Sequence, residues 1–187
     1  MTIAKYRLID LIVLTLLCVI IDIVGFFVSQ SDLIFFYVTL STPILLIIYI
    51  RWDYRGLIST LVVAVLHLIL YRNFDLLSLA LYVTSIFMIS TAMIWFKLVG
   101  RNQIKQEVLW LTLYFLTGYL MMFFTQVLAQ YILFKEIEWI VLITRHGLNL
   151  ILGWVILMIA KRQEDFMVDM EKYLLNQIKE RQQEEHL

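Results

Sequence analysis

Seven polar side chains stand inside stretches of this sequence that otherwise read as hydrocarbon: Asp22, His67, Gln126, Gln130, Arg145, His146 and Asn149. Their types suit recognition rather than bond-making. Arginine and asparagine present N–H donors that match a carboxylate or a phosphate, and glutamine both donates and accepts. Within ITRHGLN (143–149), Arg145 and Asn149 are four residues apart and share one helical face. His146 lies about 100° round the helix from Arg145. An arginine at the centre of a membrane segment costs roughly 3 kcal/mol on insertion scales, so Arg145 needs a partner. Two partners fit: an anionic ligand in a pocket open to water, or the carboxylate of Asp22 in a buried pair. His146 also fits a hydrogen-bonded packing role.

Other chemistries find little footing. Three scattered histidines, with no His-x-x-x-His spacing and no cysteine pair, give no metal site. No Ser/His/Asp set gathers at one depth, so no catalytic residue is assigned and an enzyme is not expected. There is no Walker loop or glycine-rich phosphate motif, and no cofactor is implied. Formal net charge is zero, which gives no reason to expect a nucleic-acid partner. Cys18, the single cysteine, leaves no intramolecular disulfide to form.

The elements that must hold these residues follow from composition. Of 187 residues, 62% are hydrophobic and 16% charged. A soluble domain carries about 45–50% apolar and about 25% charged residues. The sequence therefore predicts an all-α integral membrane protein with six spans: Leu8–Val28, Leu33–Ile50, Gly56–Tyr71, Leu76–Leu98, Val108–Phe134 and Ile137–Ala160. Lys5 and Arg7 before the first apolar run resemble a signal peptide. The run is too long for one and no Ala-x-Ala-like site follows, so it is expected to remain as a helix. Pro43 falls in the early turns of the second span, with Thr39 and Thr42 nearby to satisfy freed backbone groups.

Lysine and arginine set the orientation. With the N-terminus inside, Lys5, Arg7, Arg51, Arg55, Lys97, Arg101, Lys105 and five tail residues are cytoplasmic, against Arg72 and Lys135 outside. That asymmetry predicts both termini inside. Depth follows at 1.5 Å per residue: Asp22 about 10 Å and Arg145 about 12 Å below the outer surface. Gln126, Gln130 and His67 also fall in the outer half. The polar groups of several helices thus converge towards one membrane face, as small-molecule sites do in apolar surroundings. The expected substrate-binding set is Arg145, Asn149, Gln126, Gln130, Asp22, His67 and His146.

Residues 1–160 form the expected transmembrane domain, and residues 161–187 change character. Phe166, Met170, Tyr173, Leu174 and Ile178 recur at one helical face, opposite Glu, Asp, Lys and Gln. Five positive and seven negative residues make this no polybasic lipid anchor. An amphipathic cytoplasmic helix is expected, lying on the protein's own loops or docking a partner through those five residues.

The stretch PILLIIYIRWDYRGLIST and the tail EDFMVDMEKYLLNQIKERQQEE resemble small membrane proteins of Gram-positive bacteria grouped with the substrate-binding S components of energy-coupling factor (ECF) transporters. The resemblance covers the plan of residues 1–160. It implies a multi-pass protein of the bacterial plasma membrane that binds a vitamin-like metabolite from outside. It also implies a separate energising transmembrane subunit with ATPases. The first helix, LIDLIVLTLLCVIIDIVGFF, lacks the Ala-x-x-x-Ala pattern common in S components. A second resemblance, in size and plan, is to the MreD family. It implies a non-enzymatic membrane scaffold of a cell-envelope complex, acting through helix and tail contacts.

Overall fold

Lipid offers no partner to a backbone N–H or C=O, and a helix satisfies both within the segment. The computed structural model describes residues 2–29, 40–71, 76–137, 139–163 and 166–184, and all regular structure among them is helical. The helices are α1 (Ile3–Ser29), α2 (Ser41–Trp52), α3 (Leu57–Tyr71), α4 (Leu76–Phe87), α5 (Ile94–Leu98), α6 (Arg101–Gln106), α7 (Val108–Phe134), α8 (Trp139–Arg162) and α9 (Met170–Glu184). Two 3₁₀ segments join them, Asp53–Gly56 and Met88–Met93. The second makes Leu76–Leu98 helical throughout. Its hydroxyls turn back onto the chain, Ser90 on the Phe87 carbonyl and Thr91 on that of Met88, each at 2.7 Å.

Among the described residues, five stretches are long and apolar enough to cross a membrane: Ile3–Phe27, Ser41–Leu70, Leu79–Leu98, Val108–Phe134 and Leu142–Arg162. This fits a multi-pass membrane protein. The second stretch is broken in the middle, because Asp53 takes a left-handed φ of 55°. Beyond it the Tyr49 hydroxyl lies 2.5 Å from Thr60 Oγ1. In an unbroken helix those residues stand about 16 Å apart along the axis. A Cβ on Gly56 would lie 2.8 Å from the Ile48 side chain and 2.7 Å from that of Tyr49. The chain folds back here, and only glycine leaves room for the return.

α2 is the hub. All twelve of its residues are buried, and α1, α3, α7 and α8 pack around it. Leu45, Leu46, Ile48 and Tyr49 meet Ile89, Leu111, Tyr114 and Phe115 in one apolar core. The Tyr114 hydroxyl donates to the Leu46 carbonyl at 2.8 Å. α7 crosses the 3₁₀ segment closely at Gly118, where a Cβ would lie 2.8 Å from the Ile89 carbonyl oxygen. Small residues allow that approach between membrane helices. The outer faces are apolar as well, with Leu8, Ile12, Val13, Leu16 and Ile20 of α1 exposed.

α1 runs antiparallel to α2, with Asp10 against Arg51 and Cys18 against the Ser41 carbonyl. The bundle therefore has a Ser41 end and a Trp52 end. Residues 33–39 of the expected second span lie outside the described residues, and α6 was not expected from sequence.

Candidate functional site

Three helices meet at the Ser41 end through a chain of buried polar groups. Asp22 of α1 is fully buried, and its Oδ2 lies 2.7 Å from Nε2 of His67 on α3. The other ring nitrogen, Nδ1, lies 2.8 Å from the hydroxyl of Tyr82 on α4. α1 places Asp22 one turn beyond Cys18, on the same inward side. A carboxylate, an imidazole and a phenol in line can hold a proton or pass it along. The imidazole is anchored on both sides, so its orientation is fixed. Sequence offers Asp22 as one of two partners for Arg145, and the structure gives Asp22 a partner in His67.

A second group forms between α7 and α8. His146 and Asn149 are both buried. The Tyr119 hydroxyl donates to the His146 carbonyl at 3.1 Å and stands 3.2 Å from its Nδ1. The Phe123 ring meets the imidazole edge-to-face at 4.9 Å. These contacts give His146 the packing surroundings that its position off the Arg145 face had suggested. Gln126 and Gln130 are half-buried on α7, one turn and two turns beyond Met122. The Oε1 of Gln130 is buried with no hydrogen-bond partner among the described residues. Such an oxygen costs about 1–3 kcal/mol in lost solvation unless something meets it. Arg145 sits on α8, but its side chain lies outside the described residues.

The Trp52 end carries a denser network. Arg51 is buried, and its guanidinium grips both oxygens of Asp10, Nε to Oδ2 at 2.7 Å and Nη2 to Oδ1 at 2.8 Å. Its Nη1 donates to the Phe166 carbonyl at 2.9 Å. The indole of Trp52 donates to the same Asp10 at 2.6 Å. Arg101 of α6 lies 3.0 Å from Asp169 and 3.5 Å from Asp53, and Arg55 pairs with Glu171 at 2.5 Å. Arg51 and Trp52 stand at the end of α2, where arginine and tryptophan commonly anchor a helix at the membrane interface. They are instead buried and bonded to α1, because a planar fork and a buried carboxylate satisfy each other more fully than water at a crowded helix end.

That network receives the tail. Met167 and Met170 are buried, and Phe166 is half-buried in the turn before α9 rather than on its face. Leu174 is half-buried, while Tyr173 and Ile178 are exposed. The five residues expected to dock a partner are thus divided, the first two turned towards the protein's own bundle. Only RWDYRG hinted at this network, since its arginines and Asp53 are too many charges for a simple helix end.

Among the described residues no group of three or more His, Cys, Asp or Glu side chains is arranged to hold a metal ion. Comparison of the chain with protein-family models, with curated proteins and with solved structures gives no match.

Proposed function

We propose that this chain is a substrate-capturing membrane subunit like the S components of ECF transporters. In this reading it has six crossings and both termini in the cytoplasm. The Ser41 end faces outward and takes a small polar or anionic metabolite for uptake by a separate energising complex. The observation that carries the reading is the pair of buried polar groups, Asp22–His67–Tyr82 and Tyr119–His146 with Asn149 nearby on α8, held by five helices of an otherwise apolar bundle. The buried Oε1 of Gln130, without a hydrogen-bond partner among the described residues, adds an acceptor for a donor on a ligand. Arg145 and Asn149, sharing a face of α8, supply N–H donors for an anionic group. The chain's part is binding and release, and no bond is made or broken.

A second reading, a membrane scaffold of a cell-envelope complex, draws on the pairing of Asp22 with His67, which meets a buried charge without any ligand. Mass spectrometry of small molecules released from the purified full-length protein separates the two. A single metabolite should be recovered from the wild type and lost from Asn149→Ala and Gln130→Ala, with thermal unfolding of the Gln130→Ala variant near the wild-type midpoint. Recovery of no metabolite after purification from cells grown in rich medium would overturn the capture reading.

A further inference from the structure

We infer that the groove between the start of α1 and α9 seats the headgroup of an anionic phospholipid. It is lined by Thr2, Ile3 and Tyr6 on one wall and by Leu174, Gln177, Ile178 and Arg181 on the other, and encloses about 180 Å³. That is well below the roughly 300–1,000 Å³ of pockets that bury a whole small ligand. Its occupant must therefore keep most of its bulk elsewhere. The walls are largely apolar, with the Tyr6 hydroxyl, the Gln177 amide and the Arg181 guanidinium as donors. Gln177 Nε2 already donates to the Tyr173 hydroxyl at 2.9 Å, and Thr2 Oγ1 accepts from the Lys5 backbone N–H at 3.3 Å. Arg181 is left as the group best suited to a phosphate.

Two features select a lipid over a soluble anion. First, the groove continues onto a stripe of α1. Tyr6, Ile9, Val13, Leu17, Ile20 and Val24 follow one another at three- and four-residue steps, and the five aliphatic members are exposed. From Ile9 to Val24 the stripe is about 22 Å long at 1.5 Å per residue, a length suited to one acyl chain. Second, basic groups stand on both walls, although Glu180 and Glu184 lie beside Arg181 on α9. Lys5 and Arg7 stand either side of the lining residue Tyr6 on α1, and Arg181 lines the groove from α9. Basic side chains at the cytoplasmic boundary of a membrane helix attract anionic headgroups. The inference does not rest on the capture of a metabolite at the Ser41 end.

Native mass spectrometry of the full chain, released from nanodiscs of equal phosphatidylglycerol and phosphatidylcholine, tests this. One phosphatidylglycerol should remain bound per chain, in at least fivefold preference to phosphatidylcholine. Arg181→Gln should remove that preference. Lys179→Gln deletes the same charge about 160° round α9 and should leave it intact. Equal loss in both variants would mean unspecific attraction and would overturn the site. So would the absence of any preference in the wild type, or a second copy of the chain held in place of the lipid.

Discussion

At the residue scale, the costliest groups are the ones that are paired. Asp22 is buried without solvent contact, and a carboxylate there needs His67. Changing Asp22 or His67 to Leu alone removes the buried bond between them and leaves the other less fully satisfied, at a cost of roughly 1–3 kcal/mol. Replacing both removes the need, and the double variant should be markedly more stable than the sum of the singles predicts. Thermal unfolding of the three variants in detergent measures this, and simple additivity would show that the two do not act as a unit. Arg51 makes a parallel case with three bonds in one plane, two to Asp10 and one to the Phe166 carbonyl. A lysine keeps the charge but cannot reproduce the fork. Arg51→Lys should therefore lose about 2–3 kcal/mol, on the scale of one or two charge-assisted hydrogen bonds. A midpoint within a degree of wild type would show that the fork is dispensable. The sequence displayed each of these residues but not their partners. Asp22 and His67 are 45 positions apart, and Arg51 and Asp10 are 41 apart, so only packing brings them together.

At the element scale, hydrophobic length located the helices well. Val108–Phe134 and Leu76–Leu98 coincide with the expected spans, and the last begins and ends two residues later than expected. Length says little about what happens inside an apolar run. The 3₁₀ segment Met88–Met93 was not legible, because its Ser and Thr read equally well as ordinary helix. Its reason is visible in the packing, where the Ile89 carbonyl faces Gly118 across a crossing with no room for a side chain. Gly118→Ala places a methyl 2.8 Å from that oxygen and 3.1 Å from the Ala92 Cβ. Backbone cannot move aside as a side-chain tip can, so the variant should lose about 1–3 kcal/mol through overpacking. Gly147→Ala is the control, since a Cβ there meets nothing within 4 Å. Equal midpoints for the two variants in a detergent melt would refute the close crossing. The tail shows the same limit of sequence. Its periodicity announced a helix, but the buried start at Met167 and Met170 depends on arginines more than a hundred positions upstream or across the bundle.

At the scale of the whole molecule, the decisive feature is the fold-back at Asp53–Gly56. By length and composition Ser41–Leu70 counts as one membrane stretch. Counted so, the chain has five crossings and its two ends lie on opposite sides. The reversal makes α2 and α3 two limbs, and the proposed six crossings bring the ends together. The two counts make different predictions at three exposed positions, Ala4, Asn102 and Glu136. Six crossings with the N-terminus inside leave Ala4→Cys and Asn102→Cys protected in intact cells and expose Glu136→Cys to a membrane-impermeant maleimide. Five crossings with the N-terminus inside invert the last two, giving a reactive Asn102→Cys and a protected Glu136→Cys. Five with the N-terminus outside keep Asn102 protected but make Ala4→Cys reactive. That last arrangement also moves Lys5 and Arg7 to the outer face and puts Arg51 and Arg55 in mid-membrane, against the positive-inside asymmetry. Cys18 is fully buried and adds no background, so each variant can be read in the otherwise native chain. Labelling at Glu136→Cys alone is the expected pattern, and strong labelling at either Ala4→Cys or Asn102→Cys rules out the six-crossing bundle.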